Sequence, residues 1–451
     1  MSLEVKIENK TAKVGVIGLG YVGLPLSVEY AAAGYSVIGI DVSEGKIAKL
    51  NRGENYIDDV DGNKLRDLVK AGKIIGATNY DRINECDVIY ICVPTPFTDT
   101  KDPDVSYIED SAKGIAAGLR REQLVILKST TYPETTEKVV QPILEETGLK
   151  VGKDFYLAFS PERIDPGNKK FNTATTPIVV GGVTKKCTKL ASAISRKVIV
   201  EVRELSSPKA AEMTKLLENI FRSVNIALVN ELAQLCDRME GIDIWEVVEA
   251  AASKPFGFMP FFPGPGIGGH CILVDPYYLS WKAKEYDFHT NFIELAAMTN
   301  ENMPYYVLDL IIRSLSYHGA AISKAKVLML GVAFKKNVDD TRNSPALKVM
   351  ELLYNRGGHQ LMYNDPFVPR LQVNGKTYTS KKVTAQLLKS VDCVVITTDH
   401  SSYDYDDIVK NSKLVVDTRN ATKNVKNNRK KIVRLGCGTN VIPSKLRTPH
   451  E

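Results

Sequence analysis

Val14-Gly-Val-Ile-Gly-Leu-Gly20-Tyr-Val-Gly23 decides how the amino-terminal half is read. An apolar run ends in glycines spaced Gly18-x-Gly20-x-x-Gly23, the pattern turns helical, and a second apolar run follows, Ser36-Val-Ile-Gly-Ile-Asp41. This order predicts strand, helix, strand. In such a unit Gly18 permits a tight turn, Gly20 lets a pyrophosphate approach the backbone, and Gly23 allows close helix packing. Tyr21 and Val22 belong to the same turn, and the helix start behind it faces the phosphates. A glycine turn that merely packs would satisfy the three glycines alone. Asp41, about twenty residues beyond the turn, adds a carboxylate that can bind the adenosine ribose and repel a 2′-phosphate. Together they predict NAD rather than NADP. Lys46 and Lys49 are expected to be solvated helix positions.

Working outward, buried-strand candidates recur at Val88–Val93, Leu124–Lys128 and Phe155–Phe159, each separated by room for a helix. That alternation predicts a parallel sheet covered on both faces, in a domain ending near residue 200. From Ser206 to Met239 no glycine intervenes and no proline follows Pro208, while Met213, Leu216, Leu217, Ile220, Phe221 and Val224 recur at helical spacing. One long helix linking two domains is expected. A further helix over 291–317 precedes strand-like runs at Ala325–Gly331, Cys393–Thr398 and Leu414–Asp417, a second sheet. The fold class is therefore α/β, with two Rossmann-like doubly wound sheets joined by a long central helix. Past Asn420 the chain is basic and polar, and Asn424–Lys431 is expected to be solvated surface or tail.

Composition narrows the function classes. A chain of 451 residues, 44% of them hydrophobic, calls for two or three domains. A net charge of +6 from 59 basic and 53 acidic residues suits an anionic small substrate and does not call for nucleic acid. The first thirteen residues are polar, and Val14–Val28 is broken by four glycines and Pro25, which argues against a signal peptide or membrane span. Seven cysteines without CxxC spacing point to reduced thiols in the cytoplasm. No His/Cys/Asp cluster has metal-ligand spacing, so no metal is expected.

The segment from Lys254 to Cys271, Lys-Pro-Phe-Gly-Phe-Met-Pro-Phe-Phe-Pro-Gly-Pro-Gly-Ile-Gly-Gly-His-Cys, holds five glycines and four prolines and cannot be regular helix or strand. A cysteine directly after Gly-Gly-His at a helix start has the setting that stabilises a thiolate. Asp275, four residues on, can share its face. The plainer alternative for Cys271 is a small buried hydrophobe.

These motifs carry a resemblance. With Cys92-Val-Pro94-Thr95-Pro, Lys128-Ser-Thr130, Ser160-Pro-Glu162-Arg163, Glu212-x-x-Lys215-x-x-x-Asn219, Gly268-Gly-His270-Cys271-x-x-x-Asp275-Pro and Gly331-x-x-Phe334-Lys335-x-x-x-x-Asp340-x-Arg342-x-Ser-Pro, the chain resembles the UDP-glucose/GDP-mannose dehydrogenase family from about Val14 to Asp417. Within it, the UDP-N-acetylhexosamine 6-dehydrogenases are the most similar group. The resemblance implies three domains: NAD-binding over 1–200, a helical dimerisation and active-site domain over 201–317, and a UDP-sugar-binding domain over 318–451. It also implies a homodimer, UDP-sugar as substrate and a place in polysaccharide biosynthesis. Cys271 would attack an aldehyde at C6 to give a thiohemiacetal, and its oxidation a thioester that water releases as acid. Lys215 and Asn219 would stabilise negative charge, Glu162 would act as general base, and Thr130 and Asp275 would position water or assist proton transfer. Pro94, Thr95 and Thr130 would join the cofactor site. Arg163, Phe262, Gly268, His270, Phe334, Lys335 and Arg342 would join Glu162, Lys215 and Asn219 around the substrate. For Lys335 and Arg342 the plainer reading is an ion pair with Asp339 or Asp340.

Two positions depart from the family pattern: Glu134 stands where relatives usually have glycine, and Leu273 where Cys-Ile-Pro is usual. Glu134 either places a negative charge near the nicotinamide end or is simply tolerated in its turn. The wording of the Phe- and Pro-rich segment, with Ser160-Pro-Glu-Arg-Ile-Asp-Pro-Gly167, most resembles that of enzymes acting on UDP-N-acetylglucosamine, and enzymes for UDP-N-acetylmannosamine and UDP-N-acetylgalactosamine are similar to it as well. Two other classes compete. A two-electron β-hydroxyacid dehydrogenase would share the glycines and the Lys/Asn helix but has no use for Cys271, and a non-enzymatic nucleotide-sugar or NAD sensor would not need Lys215, Cys271 and Asp275 together.

Overall fold

The computed structural model describes residues 1–98, 100–164, 172–239, 241–269 and 271–438, without the side chains of Cys271, Leu273 and Val274. The chain divides into two compact units, Met1–Glu218 with Tyr277–His289, and Asn219–Pro276 with Thr290–Glu451.

In the first unit, eight strands form one sheet: β1 (Lys13–Ile17), β2 (Ser36–Ile40), β3 (Ile74–Ala77), β4 (Val88–Ile91), β5 (Leu124–Leu127), β6 (Tyr156–Phe159), β7 (Ile178–Gly182) and β8 (Val202–Leu205). Their order is β3-β2-β1-β4-β5-β6-β7-β8, and every pairing is parallel except β6 with β7. The strand order reverses beside β1, so the loops after β1 and β4 flank the crevice in which such sheets take ligands. β4, β5 and β6 are buried at every residue, because helices cover both faces. The polar first residues hold an element the sequence did not announce. Leu3–Glu8 is a helix whose Leu3 and Ile7, four apart, are both buried in the sheet's core.

The second unit carries a parallel sheet of β9 (Val327–Leu330), β10 (Leu361–Asn364), β13 (Cys393–Ile396), β14 (Val415–Asp417) and β15 (Ile432–Arg434), ordered β10-β9-β13-β14-β15. A hairpin of β11 (Arg370–Val373) and β12 (Lys376–Thr379) lies outside it. The expectation of a surface run past Asn420 needs correction. Asn424–Lys431 is mostly exposed, but Val425 is buried and Ile432–Arg434 then pairs with β14 as the sheet's last strand. Ile432 and Val433, set among lysines and arginines, give too short an apolar signal to be seen without their partner strand.

The long helix runs Pro208–Cys236. Proline at its first position lacks only an N–H that would be unpaired there. Leu216 and Ile220 are buried, whereas Met213, Leu217, Phe221, Leu228, Leu232 and Leu235 form an exposed apolar stripe at helical spacing. A second long helix, Asn291–Tyr317, exposes Phe292, Leu295, Met298 and Tyr305.

Candidate active site

Gly18 takes φ +87°, and a Cβ there would lie 2.6 Å from the Cys92 carbonyl oxygen. At Gly23, where the helix Gly23–Ala32 begins, a Cβ would lie 1.8 Å from the Gly18 oxygen, while Gly20 has nothing within 4 Å of the corresponding position. Two of the glycines are thus required by packing, and the third leaves bare backbone facing open space, as a pyrophosphate would need. Asp41 Oδ2 accepts the Leu19 N–H at 2.9 Å and Oδ1 the Ser43 N–H at 3.0 Å. Lys46 is not simply solvated: its Nζ reaches Asp41 Oδ2 at 3.1 Å, because the helix starting at Glu44 turns it back toward the strand end.

The loops after β4 and β5 are tied together. Thr95 Oγ1 donates to the Thr130 carbonyl at 2.7 Å, and Ser129 Oγ to that of Val93 at 2.7 Å. Tyr278 donates to the carbonyls of Thr95 and Pro96 at 2.6 and 2.9 Å. Beyond β5, Lys128 is buried and pairs with Glu162 Oε2 at 3.2 Å, while Glu162 Oε1 accepts the N–H groups of Arg163 and Ile164 at 2.8 and 3.0 Å. The Arg163 guanidinium reaches Glu218 at 2.6 Å and the Pro177 carbonyl at 2.8 Å.

Glu134 stands where the backbone itself suits glycine. Its φ is +82°, the left-handed region that strains any residue with a Cβ. Its carboxylate adds no bare negative charge, since Lys138, Lys282 and Lys209 lie 2.6, 2.9 and 3.3 Å from it. Burial pushes this carboxyl up, but hydrogen bonds from Lys138, Lys282, Tyr286 and Lys209 outweigh it and hold the group well below the usual range. The Glu134 N–H in turn meets Glu212 Oε2 at 2.6 Å, and Thr136 meets Oε1 through its N–H at 2.9 Å and hydroxyl at 2.7 Å. Burial nevertheless pushes the Glu212 carboxyl up to about 7, against the hydrogen bonds from Thr136 and Glu134. Glu212 thus serves the start of the Thr136–Val140 helical turn, whereas Lys215 and Asn219, one turn apart on the long helix, are both nearly buried.

The helix Cys271–Ala283 begins at the cysteine, as the sequence predicted, and Asp275 follows one turn later, buried. Asn219 Nδ2 donates to Asp275 Oδ2, which brings the long helix and the cysteine's helix together. The Cys271 side chain and His270 lie outside what is described. Among the other cysteines, burial pushes Cys86 and Cys92 up to about 12 and also raises Cys236, Cys393 and Cys437, so none of these is poised as a thiolate.

The segment from Lys254 to Gly269 has no helix or strand and is ordered through its own polar contacts. The Gly264 N–H donates to Asn230 at 3.0 Å, Asn230 to Asn300 at 2.9 Å, and Asn300 to the Ser223 carbonyl at 2.9 Å. A Cβ on Gly268 would lie 2.5 Å from Phe334, and the Gly269 N–H donates to the Arg342 carbonyl at 3.0 Å. Three residues predicted for the substrate, Gly268, Phe334 and Arg342, are therefore neighbours. Phe262 stacks on Trp245, ring centroids 5.8 Å apart. Arg342 forms the ion pair with Asp340 that was the plainer reading, at 2.6 Å and half exposed. Sequence reasoning missed Lys128, Asn230, Asn300 and the cage around Glu134. Lys128 stood inside a quoted motif, whereas the asparagines gave no local signal.

Two doubly wound sheets, a glycine turn with room for a pyrophosphate and a cysteine at a helix start define a dinucleotide-dependent oxidoreductase. Family models for the UDP-glucose/GDP-mannose dehydrogenases match along the chain: the NAD binding domain over residues 12–199, the central domain over 209–302 and the UDP binding domain over 328–424. A UDP-N-acetyl-D-mannosamine dehydrogenase of Pyrococcus horikoshii is 37% identical over 417 residues, 91% of this chain and 96% of that protein. A UDP-N-acetyl-D-glucosamine 6-dehydrogenase of Pseudomonas aeruginosa is 38% identical over 346 residues, 76% of this chain and 80% of the relative. The solved UDP-D-ManNAc dehydrogenase structure from Pyrococcus horikoshii superimposes with a TM-score of 0.86 at 34% identity, covering 94% of this chain and 99% of that one. The chain belongs to the UDP-glucose/GDP-mannose dehydrogenase family and is an NAD-dependent UDP-sugar dehydrogenase. No described helix is long and apolar enough to cross a membrane.

Proposed function

We propose that the enzyme oxidises the C6 hydroxyl of a UDP-N-acetylhexosamine to the carboxylate in two steps on one active site, with UDP-N-acetylglucosamine the favoured substrate and UDP-N-acetylmannosamine the second. Relatives named for both sugars support the N-acetylhexosamine class. The observation that carries the mechanism is the Asn219–Asp275 hydrogen bond, which sets an amide and a carboxylate one helical turn from Cys271.

NAD would be held by the turn of Gly18, Gly20, Tyr21, Val22 and Gly23, by Asp41 and by the Pro94–Thr95 and Thr130 loops, and when bound it accepts a hydride in each oxidation. The chain supplies the rest. Lys215 and Asn219 stabilise the oxygen at C6 as it gains negative charge, and Asp275, with Thr130, holds the water that relays its proton. The Cys271 thiolate adds to the C6 aldehyde, forming the C–S bond as the carbonyl pair moves to oxygen. Oxidation of that thiohemiacetal leaves a thioester. Glu162, beside Lys128, takes a proton from water as it attacks, and the C–S bond breaks with the thiolate leaving. One alcohol, two NAD and one water give one carboxylate, two NADH and three protons.

In this reading residues 1–200, 201–317 and 318–451 act as NAD-binding, central and UDP-sugar-binding domains. Arg163, Phe262, Gly268, His270, Phe334, Lys335 and Arg342 contact the substrate, Lys335 as a point charge and Arg342 as a fork for phosphate. A second copy of the chain covers the apolar stripe of the long helix, making a homodimer. The six described free cysteines suit a reducing cytoplasm. The test is Cys271→Ser assayed with NAD and each UDP-sugar: uronate formation should disappear while NAD binding is retained. Uronate formed at the wild-type rate would end the covalent route.

A further inference from the structure

His400, just past β13, is fully buried and has no place in the chemistry above. Its Nε2 lies 3.0 Å from Asp365 Oδ2, and its Nδ1 lies 3.0 Å from the Asn337 backbone N. The hydrogen-bond pattern fixes the ring: Nδ1 accepts the Asn337 N–H, so the neutral imidazole carries its proton on Nε2 and donates it to the carboxylate. Asp365, just past β10, also takes the N–H groups of Val332 at 2.7 Å, Ala333 at 3.0 Å and Phe367 at 2.9 Å. Burial pushes that carboxyl up, but the bonds from His400, Phe367, Val332 and Ala333 outweigh it and keep it ionised.

These contacts grip both ends of one loop. Residues 331–337 leave β9 where the sheet order reverses, between β10 on one side and β13 on the other. Asp365 holds the loop's start at Val332 and Ala333, and His400 holds its end at Asn337, whose side chain exchanges two hydrogen bonds of 2.9 Å with Ser401. Thr398 Oγ1 adds a bond to the Ala333 carbonyl at 2.6 Å. Phe334 and Lys335 stand between the two grips. Phe367 and Tyr403 pack on the His400 ring at 5.2 and 5.8 Å, so the imidazole cannot swing away. A histidine that merely filled the core would need a partner for one nitrogen, whereas here Nε2 ties the end of β13 to the end of β10 through Asp365, and Nδ1 ties it to the loop at Asn337.

We infer that His400 is a positioning residue for the nucleotide sugar, clamping the loop that presents Phe334 and Lys335 to the UDP moiety. The inference rests on the assignment of that loop to the substrate. Glutamine and asparagine separate the two bonds: His400→Gln places an amide near the Nε2 position and keeps Asp365, whereas His400→Asn keeps an acceptor near Nδ1 and so keeps Asn337. Calorimetric titration of the full chain with UDP, alongside kinetics with the UDP-sugar, reads the outcome. Loss of the loop bond in His400→Gln should weaken UDP about tenfold and raise KM for the UDP-sugar equally. Its kcat at saturation and NAD affinity should stay at wild-type values, and His400→Asn should bind UDP within about threefold of wild type. Equal weakening in both variants would reduce His400 to a general stabiliser and overturn the clamp. Unchanged UDP affinity in His400→Gln, with weakened binding in Lys335→Ala, would overturn it while leaving the loop as the UDP site. Unchanged affinity in all three variants would remove the loop assignment and the clamp together.

Discussion

Replacing Glu134 by glycine would relieve a left-handed backbone, yet the structure predicts that this change destabilises the protein. Two terms oppose each other. Removing the side chain relieves a left-handed backbone at φ +82°, worth about 1 kcal/mol once glycine's extra unfolded-state entropy is deducted. Against that stands the lysine cage. Lys138 and Lys209 are about half exposed, and screening leaves each pair about 0.5 kcal/mol. Lys282 is only 6% exposed, and it would keep Glu285 alone, a loss of about 2 kcal/mol for a buried charge-assisted bond. The net effect is a loss of about 2 kcal/mol, or about 4–8 °C in Tm for a unit of this size. Glu134→Ala, which keeps the strain and loses the cage, should be less stable than Glu134→Gly by the backbone term of about 1 kcal/mol. Because the folded carboxyl is held below its unfolded value, this contribution is complete at neutral pH and declines only as pH falls through the acid range. Thermal denaturation of the two variants followed by circular dichroism makes the comparison. A Glu134→Gly protein as stable as wild type would refute the reasoning.

Asp41→Ala should weaken NAD at least tenfold, since it removes the expected ribose contact and leaves the Leu19 N–H unpaired. Titration by NADH fluorescence checks it, and unchanged affinity would take Asp41 out of the cofactor site. Leu232→Glu, a charge in the middle of the exposed stripe on the long helix, should shift a dimer to monomer in sedimentation at micromolar concentration. A dimer that persists would place the interface elsewhere.

What the sequence revealed and what it hid follow from the range of the interactions. The strand-turn-helix at Val14–Gly23, the buried strands β4, β5, β9 and β13, and the long helix are written in runs of four or more apolar residues or in helical periodicity, so each can be read from its own neighbourhood. β15 and the helix Leu3–Glu8 owe their structure to partners far along the chain, β14 and the first sheet's core, and their own few apolar residues carry little pattern. The candidate site divides in the same way. The turn at Gly18, the place of Asp41 past β2 and that of Asp275 one turn into the helix starting at Cys271 could be read from spacing within one segment. The grip of Lys128 on Glu162, the Asn230–Asn300 chain and the bonds of His400 depend on which strand ends meet, which no local window contains. Glu134 shows the limit most clearly. The departure from glycine was visible in the sequence, but the three lysines that neutralise it come from positions 138, 209 and 282.

The central claim is that one enzyme carries a single sugar through both oxidations on Cys271. The most direct measurement is NADH formed per mole of limiting UDP-sugar, taken in parallel with the N-acetylglucosamine, N-acetylmannosamine, N-acetylgalactosamine and glucose derivatives. About two NADH per sugar are expected, as two oxidations through a covalent thiohemiacetal require, and UDP-N-acetylglucosamine should turn over fastest. One NADH per sugar with the aldehyde accumulating would contradict it.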